Sequence, residues 1–173
     1  GGNTVREFTP DGTLVQTIQL EYGFGPYRNL SPLGPEYLHG IVVDQTANID
    51  AFNGTNGPFL TRLNLTTDTF THFTFPGWAG FTARGAITGY GNFLFVTDDD
   101  GPSPFVPRTA HGIIRFNTVN GDWVRFASDK YFSNIAIGAD GKLYTLPSCE
   151  SSYCSAHSIE IYDPVSLALL RTV

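Results

Sequence analysis

Short runs in which apolar and polar residues alternate recur along the whole chain, separated by clusters of Gly, Pro, Asp, Asn and Thr. Such alternation predicts half-buried β-strands, because successive side chains of a strand point to opposite faces of its sheet. The stretch PVSLALL, residues 164–170, has a partly helical spacing, but its position in a repeated pattern predicts a strand. We therefore predict an all-β protein of many short strands.

Four segments repeat one pattern that predicts a β-hairpin. A short strand ends on an aromatic residue or Leu, a Thr, Asn or Asp follows, and a turn leads to a second strand. The segments are REFTPDGTLVQTI from Arg6, TRLNLTTDTFTHF from Thr61, IRFNTVNGDWVRF from Ile114 and EIYDPVSLALLRTV from Glu160. Their spacing of roughly 50 residues indicates an internal repeat.

A second kind of hairpin lies between these copies. A short apolar strand is followed by a turn of Gly, Asp or Asn and by a strand that carries aromatic residues. The segments are HGIVVDQTANIDAFN from His39, RGAITGYGNFLFVTD from Arg84 and SNIAIGADGKLYTLP from Ser133. The first strands, such as residues 41–43 and 135–137, are nearly continuous in apolar residues, which predicts burial on both faces.

One hairpin of each kind makes a four-stranded antiparallel sheet, and a repeat of about 40–50 residues with four strands is typical of a β-propeller blade. We predict a partial β-propeller of about three and a half four-stranded antiparallel blades. Its parts are a lone hairpin over residues 5–18 and blades over 38–75, 83–127 and 132–173. The alternative is a β-sandwich of about fourteen strands, which explains the number of strands but not the repeat.

The segment GADGKLYTL from Gly138 resembles the turn between the first two strands of each blade in NHL and gluconolactonase-like propellers. From about residue 38 to 173 the chain is similar to secreted bacterial propellers that often carry a PEP-CTERM sorting signal, as in TFPGWAGFTARGAITGYGNFLFVTDDD, HGIIRFN and IEIYDPVSLALLRTV. The resemblance implies an exported protein with a YVTN/NHL-like propeller and no established catalysis. The sorting signal itself is absent from this sequence, and only the last blade keeps the Asp-Gly turn.

A closed propeller has about 4–8 blades, so three and a half blades need completion. Three interpretations stay open: two chains share one ring, the chain is a fragment of a longer propeller, or the open arc is the unit of a larger assembly. An open sheet edge favours pairing with another strand. We therefore expect self-association, or the remainder of a longer chain, to complete the ring.

The charge balance argues against some partners. The chain has a net charge of −6 and only 10 Lys and Arg residues, which are scattered, over 173 residues. A nucleic-acid surface needs clustered basic side chains, so we predict no nucleic-acid partner. No apolar run approaches the ~20 residues of a membrane-spanning helix.

The two cysteines, Cys149 and Cys154, lie close together in SCESSYCS. We predict a small disulfide that fixes a loop between two strands; two free thiols are the alternative. A zinc site is disfavoured because no second pair of ligands is nearby. A disulfide implies an oxidising compartment, so we expect a secreted or extracytoplasmic protein.

A ligand site is expected at the mouth of the channel, because the first strand of each blade lines the channel and the loops before it line the mouth. Aromatic rings beside Arg suit a sugar or a small anionic ligand, although the rings could instead pack beneath the loops. The candidates are His39, Arg84 and Asn134, at the entries to the first strands, and Trp78, Tyr27 and Arg28, in the long predicted loops over residues 21–40 and 75–85.

A second candidate is the acidic run of Asp98, Asp99 and Asp100, which could hold Ca²⁺ or form a solvated loop. Gluconolactonase-like enzymes hold a metal in the channel with Glu and Asn or Asp, and only Asn134 matches that set. We predict no cofactor and an exported, non-catalytic module for binding or self-assembly through its loop face and its open blade edges. The alternative is a lactonase- or lyase-like enzyme that acts around His39 and Arg84.

Overall fold

A computed structural model gives the fold and describes residues 4–20, 27–33, 37–42, 59–73, 86–97, 112–148 and 158–173. Of residues 27–33, 39–42, 59 and 148 it describes the backbone alone. These residues form fourteen β-strands and no helix, so the prediction of an all-β protein is confirmed.

The strands form four antiparallel sheets in chain order, and each strand pairs with its neighbour in the sequence. Sheet 1 contains β1 (Thr4–Phe8) and β2 (Leu14–Gln19). Sheet 2 contains β3 (Tyr27–Leu33), β4 (Tyr37–Val42), β5 (Phe59–Asn64) and β6 (Thr69–Phe73). Sheet 3 contains β7 (Ile87–Tyr90), β8 (Phe93–Thr97), β9 (Ile113–Asn117) and β10 (Trp123–Phe126). Sheet 4 contains β11 (Tyr131–Ile137), β12 (Leu143–Ser148), β13 (Glu160–Tyr162) and β14 (Leu169–Thr172), and no sheet in the described part of the chain is closed.

The four repeated hairpins are antiparallel pairs, as predicted: β1–β2, β5–β6, β9–β10 and β13–β14. The Thr, Asn or Asp after the first strand holds each turn. The Oδ1 atoms of Asn64 and Asn117 each accept a backbone N–H two residues ahead at 2.9 Å. Asp163 Oδ1 accepts the backbone N–H of Val165 at 3.1 Å and that of Ser166 at 2.7 Å, and Thr9 Oγ1 accepts the backbone N–H of Thr13, four residues ahead, at 3.0 Å. Short oxygen-bearing side chains recur there because they replace a backbone acceptor in the turn.

Two hairpins of the second kind are also present, β7–β8 and β11–β12. The one predicted from His39 is placed differently. His39 lies in β4, the second strand of sheet 2, which pairs with β3 and β5. The rest of that predicted hairpin, residues 43–53, lies outside the described residues.

Strand β3 occupies part of a segment that the sequence predicts to be a loop. Its high content of Gly and Pro favours a loop, yet Pro32 lies within the strand and is in register with Leu38. β3 is an edge strand of its sheet, and proline is tolerated there because its missing N–H can face away from the neighbouring strand. Sheets 2, 3 and 4 therefore span residues 27–73, 87–126 and 131–172, against predicted blades over 38–75, 83–127 and 132–173.

Three hydrophobic cores each lie between two sheets that follow one another in the chain. Between sheets 1 and 2 the core contains Leu20, Leu38 and Leu63, with Val5 and Ile18 against it. Between sheets 2 and 3 it contains Leu60, Ile87, Leu94, Val96, Ile114 and Phe116. Between sheets 3 and 4 it contains Ala86, Phe95, Ile113, Phe132, Ile135, Leu143 and Tyr162.

Strand β8 of sheet 3 is buried on both faces. Leu94, Phe95 and Val96 of β8 are each 0% exposed, and alternate side chains enter opposite cores. The sequence instead predicts burial of both faces for the first strands. In β11 that prediction is wrong, because Ile135 is buried while Ala136 is exposed.

The first strands of sheets 2, 3 and 4 lie side by side: β3 approaches β7, and β7 approaches β11. The backbone N–H of Ile137 in β11 donates a hydrogen bond of 3.2 Å to Thr88 Oγ1 in β7. The predicted ligand site is therefore expected on the side of the molecule where these first strands meet.

Candidate functional site

Asn134 is the predicted site residue whose side chain the structure describes. It lies inside β11, next to an irregularity in the pairing with β12, and it is exposed. Its Oδ1 atom accepts the backbone N–H of Ile135 at 2.9 Å. Next to it, the hydroxyl of the exposed Ser133 donates to the carbonyl of Leu146 at 3.2 Å. The irregularity thus exposes two adjacent polar side chains on a first strand.

Tyr27 and Arg28 lie in β3, not in a loop, and β3 is the first strand of its sheet. His39 lies in the second strand, opposite Arg62 of β5, and not before a first strand as the sequence predicts. The structure therefore has Tyr27, Arg28 and Asn134 on first strands that both neighbour β7.

Several predicted site residues lie outside the described residues. They are Trp78, Arg84, Asp98, Asp99, Asp100, Cys149 and Cys154. The predicted Ca²⁺ site and the predicted disulfide are thus untested by the fold. Within the described ranges no group of three or more His, Cys, Asp and Glu side chains could hold a metal ion.

A buried polar cluster that sequence reasoning missed joins the link before β11 to strands β12 and β13 of sheet 4. Glu160 of β13 is 7% exposed. Its Oε1 atom accepts the Lys130 ammonium at 2.6 Å, and its Oε2 atom accepts the Tyr162 hydroxyl at 2.7 Å. The backbone carbonyl of Glu160 also accepts the Thr145 hydroxyl at 3.2 Å.

The sequence holds one signal for this cluster. Glu160 stands between two isoleucines in a short strand, and residues two apart in a strand share a face. Glu160 and Tyr162 therefore lie on the same face, which for Tyr162 is the core between sheets 3 and 4. Lys130, in the link from β10 to β11, was not predictable because its contact with Glu160, 30 residues away, depends on how the link lies against β13.

The cluster fixes the link before β11 against strand β13 of sheet 4. Both carboxylate oxygens of Glu160 have a donor, which a buried charge requires. Burial, followed by the hydrogen bond to Glu160, raises the pKa of Tyr162 above its ordinary value, so the hydroxyl stays protonated and donates. Because Tyr162 is 4% exposed, neither group is accessible to a ligand.

Two arginines make a repeated contact between consecutive sheets. Arg62 of β5 donates to the carbonyl of Thr118, in the β9–β10 turn of the next sheet, at 2.9 Å. Arg115 of β9 donates to the carbonyl of Val165, in the β13–β14 turn of the next sheet. Each guanidinium also lies over aromatic rings of its own sheet: Arg62 is 5.1 Å from the ring of Tyr37, and Arg115 is 4.6 Å from that of Phe93.

These arginines occupy equivalent places in TRLN and IRFN. The equivalent residue is Ile161 in sheet 4 and Glu7 in sheet 1. Sheets at the two ends of the series thus differ from the middle sheets at this position. The repeat is visible in the sequence, but the role of the arginine is not.

No protein-family model matches the chain, and a search of curated proteins finds no match. The resemblance to NHL-type and PEP-CTERM-associated propellers therefore stays a prediction. None of the described residues forms a helix long and apolar enough to cross a membrane.

Proposed function

We propose that the chain is an exported, non-catalytic module of the β-propeller type, which binds through its loops and its exposed sheet faces. One observation carries the proposal: every described core lies between two sheets consecutive in the chain, and the first strands β3, β7 and β11 lie side by side. Blades packed face to face around an axis, with first strands innermost, have this arrangement. In a β-sandwich, two sheets would share one core.

The ligand class that we propose is a sugar or a small anion, bound where the first strands meet. Support comes from Tyr27 and Arg28 on β3 and from the exposed Asn134 on β11, since both strands neighbour β7. An aromatic ring can stack on a sugar, and a guanidinium and an amide can bind its hydroxyls or an anion. The full set of proposed ligand residues is Tyr27, Arg28, His39, Trp78, Arg84 and Asn134.

A titration followed by amide chemical shifts tests this proposal. The probes are a set of neutral monosaccharides and disaccharides, inorganic phosphate and small carboxylates. A ligand should shift the amides of residues 131–137, and Asn134→Ala should weaken binding about fivefold, the equivalent of about 1 kcal/mol for one hydrogen bond. Asn120→Ala is the matched control, because Asn120 is exposed in the distant β9–β10 turn.

Two outcomes would count against the proposal. Shifts confined to the outer turns, or equal effects of the two Asn variants, would remove the site on the first strands. A rise in melting temperature with Ca²⁺, together with hydrolysis of a lactone, would favour the enzyme alternative instead. Export rests on the predicted Cys149–Cys154 disulfide, which an intact-mass measurement after alkylation of free thiols tests.

A further inference from the structure

The interfaces between consecutive sheets of one chain, which we call the inner interfaces, all pack the same face of one sheet against the opposite face of the next. We call the face of a sheet that is turned to the next sheet in the chain its leading face, and the opposite one its trailing face. Leu60 and Arg62 lie on the leading face of sheet 2, and Ile113 and Arg115 lie on that of sheet 3. Trailing faces contribute the alternate residues of the same strands.

Sheet 4 has an exposed apolar region on its leading face. Tyr162 points into the core with sheet 3, so Ile161 and Ile159 lie on the leading face by alternation. Ile161 is itself only 8% exposed, so the exposed part of this face is formed by its neighbours. Ile159 and Val173 exchange two backbone hydrogen bonds of 2.9 Å, which puts Val173 on the same face. Ile159 is 42% exposed and Val173 is 61% exposed.

Sheet 1 has an exposed apolar region on its trailing face. Val5 and Ile18 pack against sheet 2, so Phe8, which alternates with Val5 and Glu7, lies on the opposite face. Leu14 pairs with Phe8 in the ladder and shares that face. Phe8 is 54% exposed and Leu14 is 49% exposed.

We propose that the leading face of sheet 4 binds the trailing face of sheet 1 in a second copy of this chain, so that copies associate head to tail. The proposal rests on the proposed function, since it extends the same leading-to-trailing packing beyond one chain. In each inner interface, the sheet that packs onto a leading face contains a hairpin of the repeated kind, and sheet 1 consists of such a hairpin. Sheet 1 of a second copy therefore has the kind of hairpin that covers the leading faces within the chain.

The charges at the two ends also match. In two of the three inner interfaces, those of sheets 2 and 3 and of sheets 3 and 4, a leading-face arginine reaches the turn of the next sheet. Sheet 4 has Ile161 in that place, but Arg171 is its partner in the ladder and is exposed on the same face. The turn of sheet 1 carries Asp11, which is exposed. Arg171 of one copy and Asp11 of another can thus repeat the contact between a cation and a turn.

Light scattering after size-exclusion chromatography, at rising concentrations of the 173-residue chain, tests the association. The mass should rise above the 18.9 kDa of one chain. Phe8→Asp should block the trailing face of sheet 1, and Ile159→Asp should block the leading face of sheet 4, so each variant alone should be monomeric. Val119→Asp is the control, because Val119 is 74% exposed in the β9–β10 turn, away from both faces; it should associate like the unchanged chain.

The decisive step is a mixture of the two blocked variants. Each keeps one intact face, so the mixture should form a complex of one Phe8→Asp chain and one Ile159→Asp chain, and nothing larger. A monomeric mixture would overturn head-to-tail binding. A constant mass of 18.9 kDa for the unchanged chain would show that no second copy occupies these faces.

Thermal melts and circular dichroism must show that each variant is folded. If either Asp variant unfolds, Leu14→Ser and Val173→Ser replace them, since both sites are exposed. Nuclear Overhauser contacts between Phe73 and Phe116 separate the two proposals. If the protein is a monomer that keeps the contacts between Phe73 and Phe116, only the self-association is refuted. If these contacts are absent, the packing order on which the proposed function rests is refuted.

Discussion

Truncation of Phe116 is the most informative change to the core between sheets 2 and 3. Phe116 is 1% exposed, and its ring centroid lies 4.6 Å from that of Phe73 in the neighbouring sheet. Loss of a buried Phe side chain costs about 3–5 kcal/mol, from lost burial and the cavity left behind. Stabilities of single domains are about 5–15 kcal/mol, so Phe116→Ala should remove a large part of the total.

The aromatic contact can be separated from the cavity by a double-mutant cycle. Phe116→Leu, Phe73→Leu and the double variant should give a coupling free energy of about 0.5–1.5 kcal/mol, the typical value for an aromatic pair. Urea unfolding, followed by tryptophan fluorescence and circular dichroism, gives the free energies if the slope stays constant. Phe8→Ala is the matched control, because Phe8 is 54% exposed; measured on dilute monomer, it should cost less than about 1 kcal/mol.

The reasoning would be refuted by a loss of less than about 1 kcal/mol for Phe116→Ala, or by equal losses for the Phe116 and Phe8 variants. Either result would mean that Phe116 is not enclosed between two sheets. A coupling free energy near zero, with a large loss of stability for each single variant, would support the burial of both rings but argue against a contact between them.

Three further predictions concern a glycine and two titratable groups. Gly112 has φ of +103°, and a Cβ there would meet the Phe126 carbonyl, so Gly112→Ala should lower the free energy of unfolding in urea by several kcal/mol. Gly12 has φ of +88° with nothing within 4 Å, so the control Gly12→Ala should cost only about 1 kcal/mol, and equal losses would contradict the crowding at Gly112. Hydrogen bonds from Ser166 hold the pKa of Asp163 below its ordinary value, so the contribution of Asp163 to folding stability should be present above about pH 4 and lost as the pH falls further. Asp163→Asn should therefore make the melting temperature less dependent on pH in that range. Parallel curves of melting temperature against pH for the two proteins would count against this. Burial raises the pKa of Tyr162, so its contribution to folding stability should be complete below about pH 10 and lost as the pH rises. Tyr162→Phe should remove that alkaline loss of stability, but it should cost about 1–3 kcal/mol at pH 7 because Glu160 loses a donor. An unchanged dependence of melting temperature on alkaline pH would contradict this.

Local features of the fold were predictable, because local chemistry determines them. The repeated hairpins could be read from an alternating strand followed by Asn64, Asn117 or Asp163, whose side-chain oxygens complete the turn without help from distant residues. Strand β3 was missed for the opposite reason. Its Gly- and Pro-rich surroundings favour a loop, and only pairing with β4 makes a strand there.

The candidate site was less predictable, because it depends on which sheets meet. Asn134 was proposed from its place near the start of a repeated hairpin; it is exposed beside the irregularity in β11, and its role as a ligand residue stays a prediction. His39 was assigned to the start of a first strand because β3 had been missed. The Lys130–Glu160 pair joins residues 30 apart in the sequence, and no periodicity within one strand indicates such a partner.

Nuclear Overhauser contacts between side-chain protons test the central claim, that each core joins two sheets consecutive in the chain. The account predicts contacts between Phe73 and Phe116, whose ring centroids are 4.6 Å apart, and between Phe126 and Tyr162, at 5.5 Å. It predicts none between Leu63, in the core of sheets 1 and 2, and Tyr162, in the core of sheets 3 and 4. Contacts of Leu63 with Tyr162 in the monomeric protein, without the two predicted ring pairs, would contradict the packing order and favour a sandwich.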